Sequence, residues 1–298
     1  MPEHNKSSGI NCFSRRLFSV KDYNLDYTLD SGQAFRWEKI DGGWEGVIYN
    51  RWVRLEPHKD GIAATVFGRI NDWSWLEDYL QINVDINAIL NSFPKDRRLE
   101  QAVKECRGLR IVRQQPWECL ASFLMSSSKQ IIQIKQIISN LCRHFGEPVP
   151  TPPGREQMYS FPSVESIAQA DETNLRQCKM GFRAAYLKNT AQLIKKEKIN
   201  LDELSFLTID QAREALMRFP GVGVKIANCV LLFSLGFYRA FPVDVWVRKA
   251  LQNFYFENKP VKKREMERFA YEYFGEFGGY AQQYLFHYIR VKLSKNKS

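Results

Sequence analysis

The chain has 298 residues, 44% of them apolar, with a formal net charge of +10. That is enough for a sizeable core and predicts about two domains, and the positive balance favours a polyanionic partner over an acidic small molecule. An aromatic share of 13%, with seven Trp, excludes a disordered basic arm. No apolar run approaches the roughly 18 residues of a membrane span, and Met1–Gly9 lacks the apolar stretch of a signal peptide. A soluble intracellular protein is therefore expected. Its six cysteines (12, 106, 119, 142, 178 and 229) are scattered without a CxxC pair, which argues against a disulfide scaffold or a zinc site. None follows Cys229, so no C-terminal iron–sulfur ligand set is expected.

Residues 1–10 read as a disordered lead. From Tyr23 to about Phe67 the sequence predicts a β-meander, with β-formers at Phe35/Trp37, Trp44, Val47, Trp52/Val53/Leu55 and Thr65–Phe67. Asp41-Gly42-Gly43 and Lys59-Asp60-Gly61 supply the turns. From Asp72 the apolar period becomes helical, with Trp75/Leu76/Tyr79/Leu80 and Leu99/Val103/Cys106 at spacings of three and four. Trp117–Phe145 predicts two helices parted by Ser126–Gln130, with Ser127 and Gln130 forming a capping box for the second. A proline-rich linker, Pro148–Pro153, precedes short helices at Val164–Ala170, Glu172–Cys178 and Ala184–Lys196. Thr208 is placed to cap Ile209–Arg218, Gly236 closes Val224–Leu235, and helices follow at Lys263–Phe274 and Gly279–Leu293. The expected division is 11–110 for a sheet domain with flanking helices and 111–298 for a helical region.

Phe219-Pro-Gly-Val-Gly-Val-Lys225 joins two of these helices. Gly221 and Gly223 leave the turn's N–H groups open to a phosphate, and the helix beginning at Val224 adds a positive dipole end for the same anion. Lys225 lies in that helix's first turn, where the dipole disfavours a cation by a few tenths to about 1 kcal/mol. A neutral amine there is a nucleophile suited to Schiff-base chemistry. Asp244, after Pro242-Val243, follows 244 − 225 = 19 positions later. As an N-cap it is locked in direction and expected to stay ionised, able to support positive charge at an anomeric carbon. Read singly, Lys225 is a solvated lysine and Asp244 a plain cap. Together, on a turn that grips a nucleic-acid strand, they point to chemistry at a deoxyribose carbon.

Phe219–Lys225 with Pro242–Asp244 resembles the helix–hairpin–helix, Gly-Pro-Asp superfamily of base-excision DNA glycosylases. Ser31-Gly-Gln-Ala-Phe-Arg-Trp37, Arg113-Gln-Gln-Pro-Trp-Glu-Cys119, Met180-Gly-Phe-Arg-Ala-Ala-Tyr186 and Gly279-Tyr-Ala-Gln-Gln-Tyr-Leu-Phe286 extend the resemblance to the 8-oxoguanine DNA glycosylase/AP lyase family over nearly the whole length. The resemblance implies an α+β fold: an N-terminal antiparallel sheet domain, TATA-binding-protein-like, then two mainly α-helical lobes with the helix–hairpin–helix at 209–235. It also implies a bifunctional mechanism on duplex DNA containing 8-oxoguanine. Lys225 would attack C1′ and expel the base, β-elimination would nick the strand, and Asp244 would support the cationic transition state.

Several further roles are implied. The Gly32 carbonyl would accept the N7–H that 8-oxoguanine has and guanine lacks, glycine permitting close approach, a contrast worth about 1–3 kcal/mol. Cys229 and Phe286 would sandwich the flipped base, Gln282 would read its Watson–Crick edge, and the base must first leave the stack. Read singly, Phe286 and Cys229 are core residues, Gln282 a surface residue and Gly32 part of a turn. The carbonyls of Met217, Phe219 and Val222 would hold a structural cation bridging to phosphate; no cofactor is required. Gly221, Gly223, Val224 and Arg248 would lie along the phosphates.

The chain departs from the family at the strand opposite the lesion. Ser128 and Gln133 stand where members carry Asn and Arg; Arg183 is kept, and Phe182 replaces a Tyr wedge. Ser and Gln make fewer directed bonds than Asn plus bidentate Arg, so weaker selection for cytosine is expected. Trp246 replaces a His and Ile289 an Asp, removing a polar link and leaving Trp246 to press on the base or backbone. A monofunctional alkylpurine glycosylase and a non-catalytic hairpin DNA-binding module are the alternatives. A monomer is expected, in a prokaryotic cytoplasm, or in the nucleus if eukaryotic.

Overall fold

The computed structural model describes residues 12–295; the lead at 1–10 lies outside the described residues. An edge strand, β1 (Phe13–Ser19), is followed by a short helix, α1 (Leu25–Leu29), whose N-cap Asn24 accepts from the Tyr27 N–H. The meander then runs through β2 (Trp37–Ile40), β3 (Gly43–Ile48), β4 (Arg51–His58) and β5 (Gly61–Phe67). The antiparallel sheet has the order β1-β5-β4-β3-β2. The meander thus begins fourteen residues after Tyr23, at Trp37, and the sheet gains a strand from before it. β1 hides from a pattern reading because Arg15-Arg16 break its alternation and only Phe18 is buried. In β5, by contrast, Ile62, Ala64 and Val66 alternate inward onto the core.

Against one face of this sheet pack α1 and α2 (Ser74–Leu80), and Trp37 Nε1 donates to the Tyr79 hydroxyl at 2.8 Å. Next come α3 (Ile86–Asn91), α4 (Arg97–Glu105), α5 (Pro116–Met125), α6 (Ile131–Phe145), α7 (Val164–Gln169), α8 (Glu172–Leu175) and α9 (Arg183–Glu197). A 3-10 turn at Leu201–Phe206 leads to α10 (Ile209–Met217), α11 (Val224–Phe233), α12 (Val245–Tyr255), α13 (Lys263–Tyr273) and α14 (Gly278–Lys295). The helical core draws α3 and α4 into the same apolar cluster as α5, α11 and α14, so the two parts of the chain share packing. Thr208 caps α10 and forms a capping box with Gln211, whereas α6 is opened by Gln130 and Gln133. The box therefore sits three residues after the predicted Ser127–Gln130 pair: Gln133, at the third helical position, accepts the Gln130 N–H on its Oε1 at 3.1 Å.

The predicted helix Glu172–Cys178 stops at Leu175 and widens into a kinked π-type turn, Arg176–Met180, with Lys179 at φ 65°. No helix among the described residues is long and apolar enough to cross a membrane. All six cysteines are free thiols.

Candidate active site

The hairpin is built as its sequence requires. Phe219 accepts from the Val222 N–H at 3.1 Å to close the turn, Phe219 and Val222 are buried beneath it, and Gly223 caps α11. Gly221 has φ 80°, and a Cβ there would meet the Tyr186 ring at 2.6 Å. Gly223 differs: its φ is −100°, and a Cβ would find nothing within 4 Å. Nothing inside the protein demands glycine at that exposed cap, whereas an approaching anion would. The Met217 and Val222 carbonyls accept no hydrogen bond from the described residues, so these oxygens suit a hard cation. The Phe219 oxygen already closes the turn and would hold a cation only with its second lone pair.

Lys225, in the first turn of α11, is half-buried. Its Nζ donates to Ser126 Oγ at 3.0 Å and sits 4.9 Å above the Phe123 ring. The ring is held by Phe233, stacked at 5.5 Å, and by Phe35, edge-on at 5.5 Å. An aromatic floor thus connects Lys225 to the segment that follows Gly32. Ser126, the C-cap of α5, donates to the Phe123 carbonyl at 2.7 Å, which fixes its hydroxyl.

Asp244 caps α12, its Oδ1 accepting the Val247 N–H at 2.8 Å. The cap is as predicted, but the charge state is not secured by it. Burial raises the carboxyl above the ordinary Asp range, and the Val247 N–H and the nearby Lys225 offset this only in part. Cys229, one turn after Lys225 on α11, is buried, and its thiol is pushed up to about 11 by burial, with Lys225 opposing and Asp244 reinforcing. Lys225, Cys229 and Asp244 therefore lie within one another's electrostatic reach.

A second group assembles around Gly32. This residue has φ 75°, and a Cβ on it would come within 2.9 Å of Ile131 Cδ1 and 3.5 Å of Phe286 Cε1, so Gly32 lies against both side chains. From the same helix, α14, Gln282 is 4% exposed, and its Oε1 is a buried acceptor without a donor. Such an orphan is costly unless a ligand supplies the missing hydrogen. The Gly32 carbonyl likewise accepts nothing from the described residues. Trp246 is half-buried on α12 with Lys249 Nζ 5.3 Å over its ring, Arg248 is exposed beside it, and Ile289 is buried on α14.

The residues assigned to the opposite strand fall into a different arrangement. Ser128 is exposed at φ 54° in the turn between α5 and α6, and the Gln133 carbonyl oxygen is occupied by the capping box. Phe182 is 59% exposed at the start of α9, with the Arg183 guanidinium 4.4 Å over its ring. Arg183 is only 5% exposed and turned inward, donating to the Ser127 and Met180 carbonyls. It braces the Ser126–Gln130 turn. Ser126 and Phe123 were not singled out by sequence, since neither carries a motif; only the fold brings them under Lys225.

Lys225 opens the helix after the hairpin and Asp244 caps α12, beside a buried site with unmatched acceptors, an arrangement suited to base-excision chemistry on DNA. Residues 121–275 match the HhH-GPD superfamily of base excision DNA repair proteins, and residues 16–120 match the 8-oxoguanine DNA glycosylase N-terminal domain. The chain belongs to the 8-oxoguanine DNA glycosylase/AP lyase family of that superfamily. It is 31% identical to the N-glycosylase/DNA lyase OGG1 of Arabidopsis thaliana, over 89% of this chain and 77% of that one. It is similar to the structure of Clostridium acetobutylicum 8-oxoguanine glycosylase/lyase in complex with double-stranded DNA containing cytosine opposite 8-oxoguanine. There the TM-score is 0.87 and the identity 30%, covering 95% of this chain and 99% of the other. A 3-methyladenine DNA glycosylase from Archaeoglobus fulgidus shares the fold, with a TM-score of 0.76 at 22% identity over 93% of this chain and 98% of that one.

Proposed function

We propose that this chain is a bifunctional DNA glycosylase/AP lyase that removes 8-oxoguanine from duplex DNA. The observation that carries the reading is the placement of Lys225 and Asp244. One amine, held by a hydroxyl and an aromatic face, shares a site with one carboxyl whose proton affinity burial has raised. The flipped nucleotide enters between the hairpin and α14. The Lys225 nitrogen attacks C1′ as the C1′–N9 bond breaks, and N9 leaves with the bonding electrons and takes a proton. Loss of the ring oxygen from C1′ gives the imine, and removal of a C2′ proton expels the 3′ phosphate. Water then releases Lys225. Asp244 steadies the positive charge at C1′ and relays protons.

Recognition rests on the second group. The Gly32 carbonyl accepts N7–H, and the Gln282 Oε1 accepts from the Watson–Crick edge, where guanine bases carry N–H donors. Phe286 covers one face of the base and Cys229, its thiol protonated by burial, the other. The Gly223 cap and the start of α11 take a phosphate, and Met217, Phe219 and Val222 carbonyls would hold a cation beside it. No redox cofactor enters the reaction. The alkylpurine alternative uses Asp244 but leaves Lys225 without a task, and a purely DNA-binding module leaves the orphaned Gln282 oxygen unexplained.

The test is product analysis on an 8-oxoguanine:cytosine duplex. Free 8-oxoguanine together with a strand nicked 3′ of the lesion is the expected result. Base release with an intact strand would contradict the lyase step, and release of 3-methyladenine alone would overturn the substrate.

A further inference from the structure

Gly32 has the conformational freedom that lets its peptide rotate, yet the reading above needs its carbonyl to point one way. The surrounding loop shows how that direction is kept. The Asp30 carbonyl accepts from the Arg290 guanidinium, the Ser31 carbonyl from Gln283 Nε2 at 3.0 Å, and the Gln33 carbonyl from Gln114 Nε2 at 2.7 Å. Gln33 itself donates to the Thr28 and Arg110 carbonyls at 2.8 and 2.7 Å and accepts from the Val112 N–H at 2.8 Å. Three neighbouring carbonyls are thus tied to side chains, and the one between two of them, on Gly32, is left open. Because peptide units are planar, fixing the units on either side limits the orientations open to the unit in the middle.

Gln283 and Arg290 lie at i and i+7 on α14, and Phe286 lies between them at i+3, so all three share one helical stripe. Arg290 is 5.9 Å over the Phe286 ring. Gln283 is 2% exposed, and its amide spans from the helix that carries Gln282 and Phe286 to the loop that carries Gly32. We propose that Gln283, seconded by Arg290, is a positioning residue for lesion discrimination: it fixes the Gly32 carbonyl in register with Phe286 and Gln282. This rests on the reading of Gly32 as the N7–H acceptor.

Gln283→Met keeps the volume and removes the donor. Two measurements separate positioning from general stability. The first compares single-turnover excision from an 8-oxoguanine:cytosine duplex with cleavage of a preformed abasic duplex, which has no base to recognise. The expected result is a fall of roughly tenfold in excision relative to abasic cleavage, the scale of one hydrogen bond. Equal proportional losses on both duplexes, or no loss on either, would overturn the proposal. The second compares binding of 8-oxoguanine:cytosine and guanine:cytosine duplexes in a Lys225→Gln background, with and without Gln283→Met. If the parent shows no preference for 8-oxoguanine, the Gly32 reading fails and the brace with it. If the parent prefers 8-oxoguanine and Gln283→Met retains the full preference, the brace alone fails. A preference reduced by roughly tenfold supports both.

Discussion

The Asp244 carboxylate accepts the Val247 N–H at 2.8 Å while burial raises its proton affinity. One side chain thus caps α12 and, in the function proposed above, also serves the reaction. The two tasks separate in Asp244→Asn, because asparagine caps a helix about as well as aspartate. Base excision is expected to fall by about 10²-fold or more, with a thermal midpoint within a few degrees of the parent. A large loss of stability in this variant would mean that the carboxylate is chiefly structural.

Gly223 offers a test of the hairpin that packing does not confound. Its φ of −100° is open to alanine, and a Cβ would touch nothing. In Gly223→Ala the poorer cap and the stiffer unfolded chain offset each other within about 1 kcal/mol. The methyl group would nevertheless occupy the approach to the Val224 and Lys225 N–H groups. Affinity for duplex DNA is expected to drop at least about tenfold, the scale of one charge-assisted hydrogen bond. Unchanged affinity in a binding titration would remove the hairpin from the phosphate path.

Opposite-base selection should be weak. Ser128 and the capping-box Gln133 offer few directed bonds, and Arg183 is turned toward the Ser127 and Met180 carbonyls. Excision opposite adenine is expected within about tenfold of that opposite cytosine. A hundredfold preference for cytosine in single-turnover assays would show that Arg183 swings outward when DNA binds.

His287 is 4% exposed, and both its ring nitrogens lack partners. Burial, reinforced by Arg290 and opposed by Asp30, lowers its pKa from 6.5 to about 4. The folded state therefore binds the proton less readily than the unfolded chain. Its contribution is intact above pH 6.5 and is lost as pH falls toward 4, amounting to about 3 kcal/mol. Urea unfolding of His287→Leu from pH 7 to 4 should be flatter than that of the parent by this amount. Parallel curves would contradict the assignment.

How much of this was legible beforehand follows from where each interaction lives in the sequence. The hairpin, the Thr208 cap and the Asp244 cap are contained within a few residues, so residue type and spacing suffice. The β2–β3 and β4–β5 connections carry Gly-containing turns, and β5 alternates cleanly. Edge strand β1 does neither, because one of its faces is open and its pairing partner β5 lies about fifty residues away. The glutamine braces were invisible for a related reason: Gln283 reaches Ser31 across 252 positions, and nothing local distinguishes it from the neighbouring Gln282. Arg183 opens α9 one residue before the predicted helix start, and only packing reveals which way its side chain turns.

Covalent capture of Lys225 tests the proposed chemistry most directly. Borohydride reduction during reaction with an 8-oxoguanine:cytosine duplex should yield one protein–DNA adduct, mapped by peptide mass to Lys225. Lys225→Gln should abolish the adduct while retaining duplex binding. An adduct that persists at full yield in Lys225→Gln, or that maps to another lysine, would contradict it.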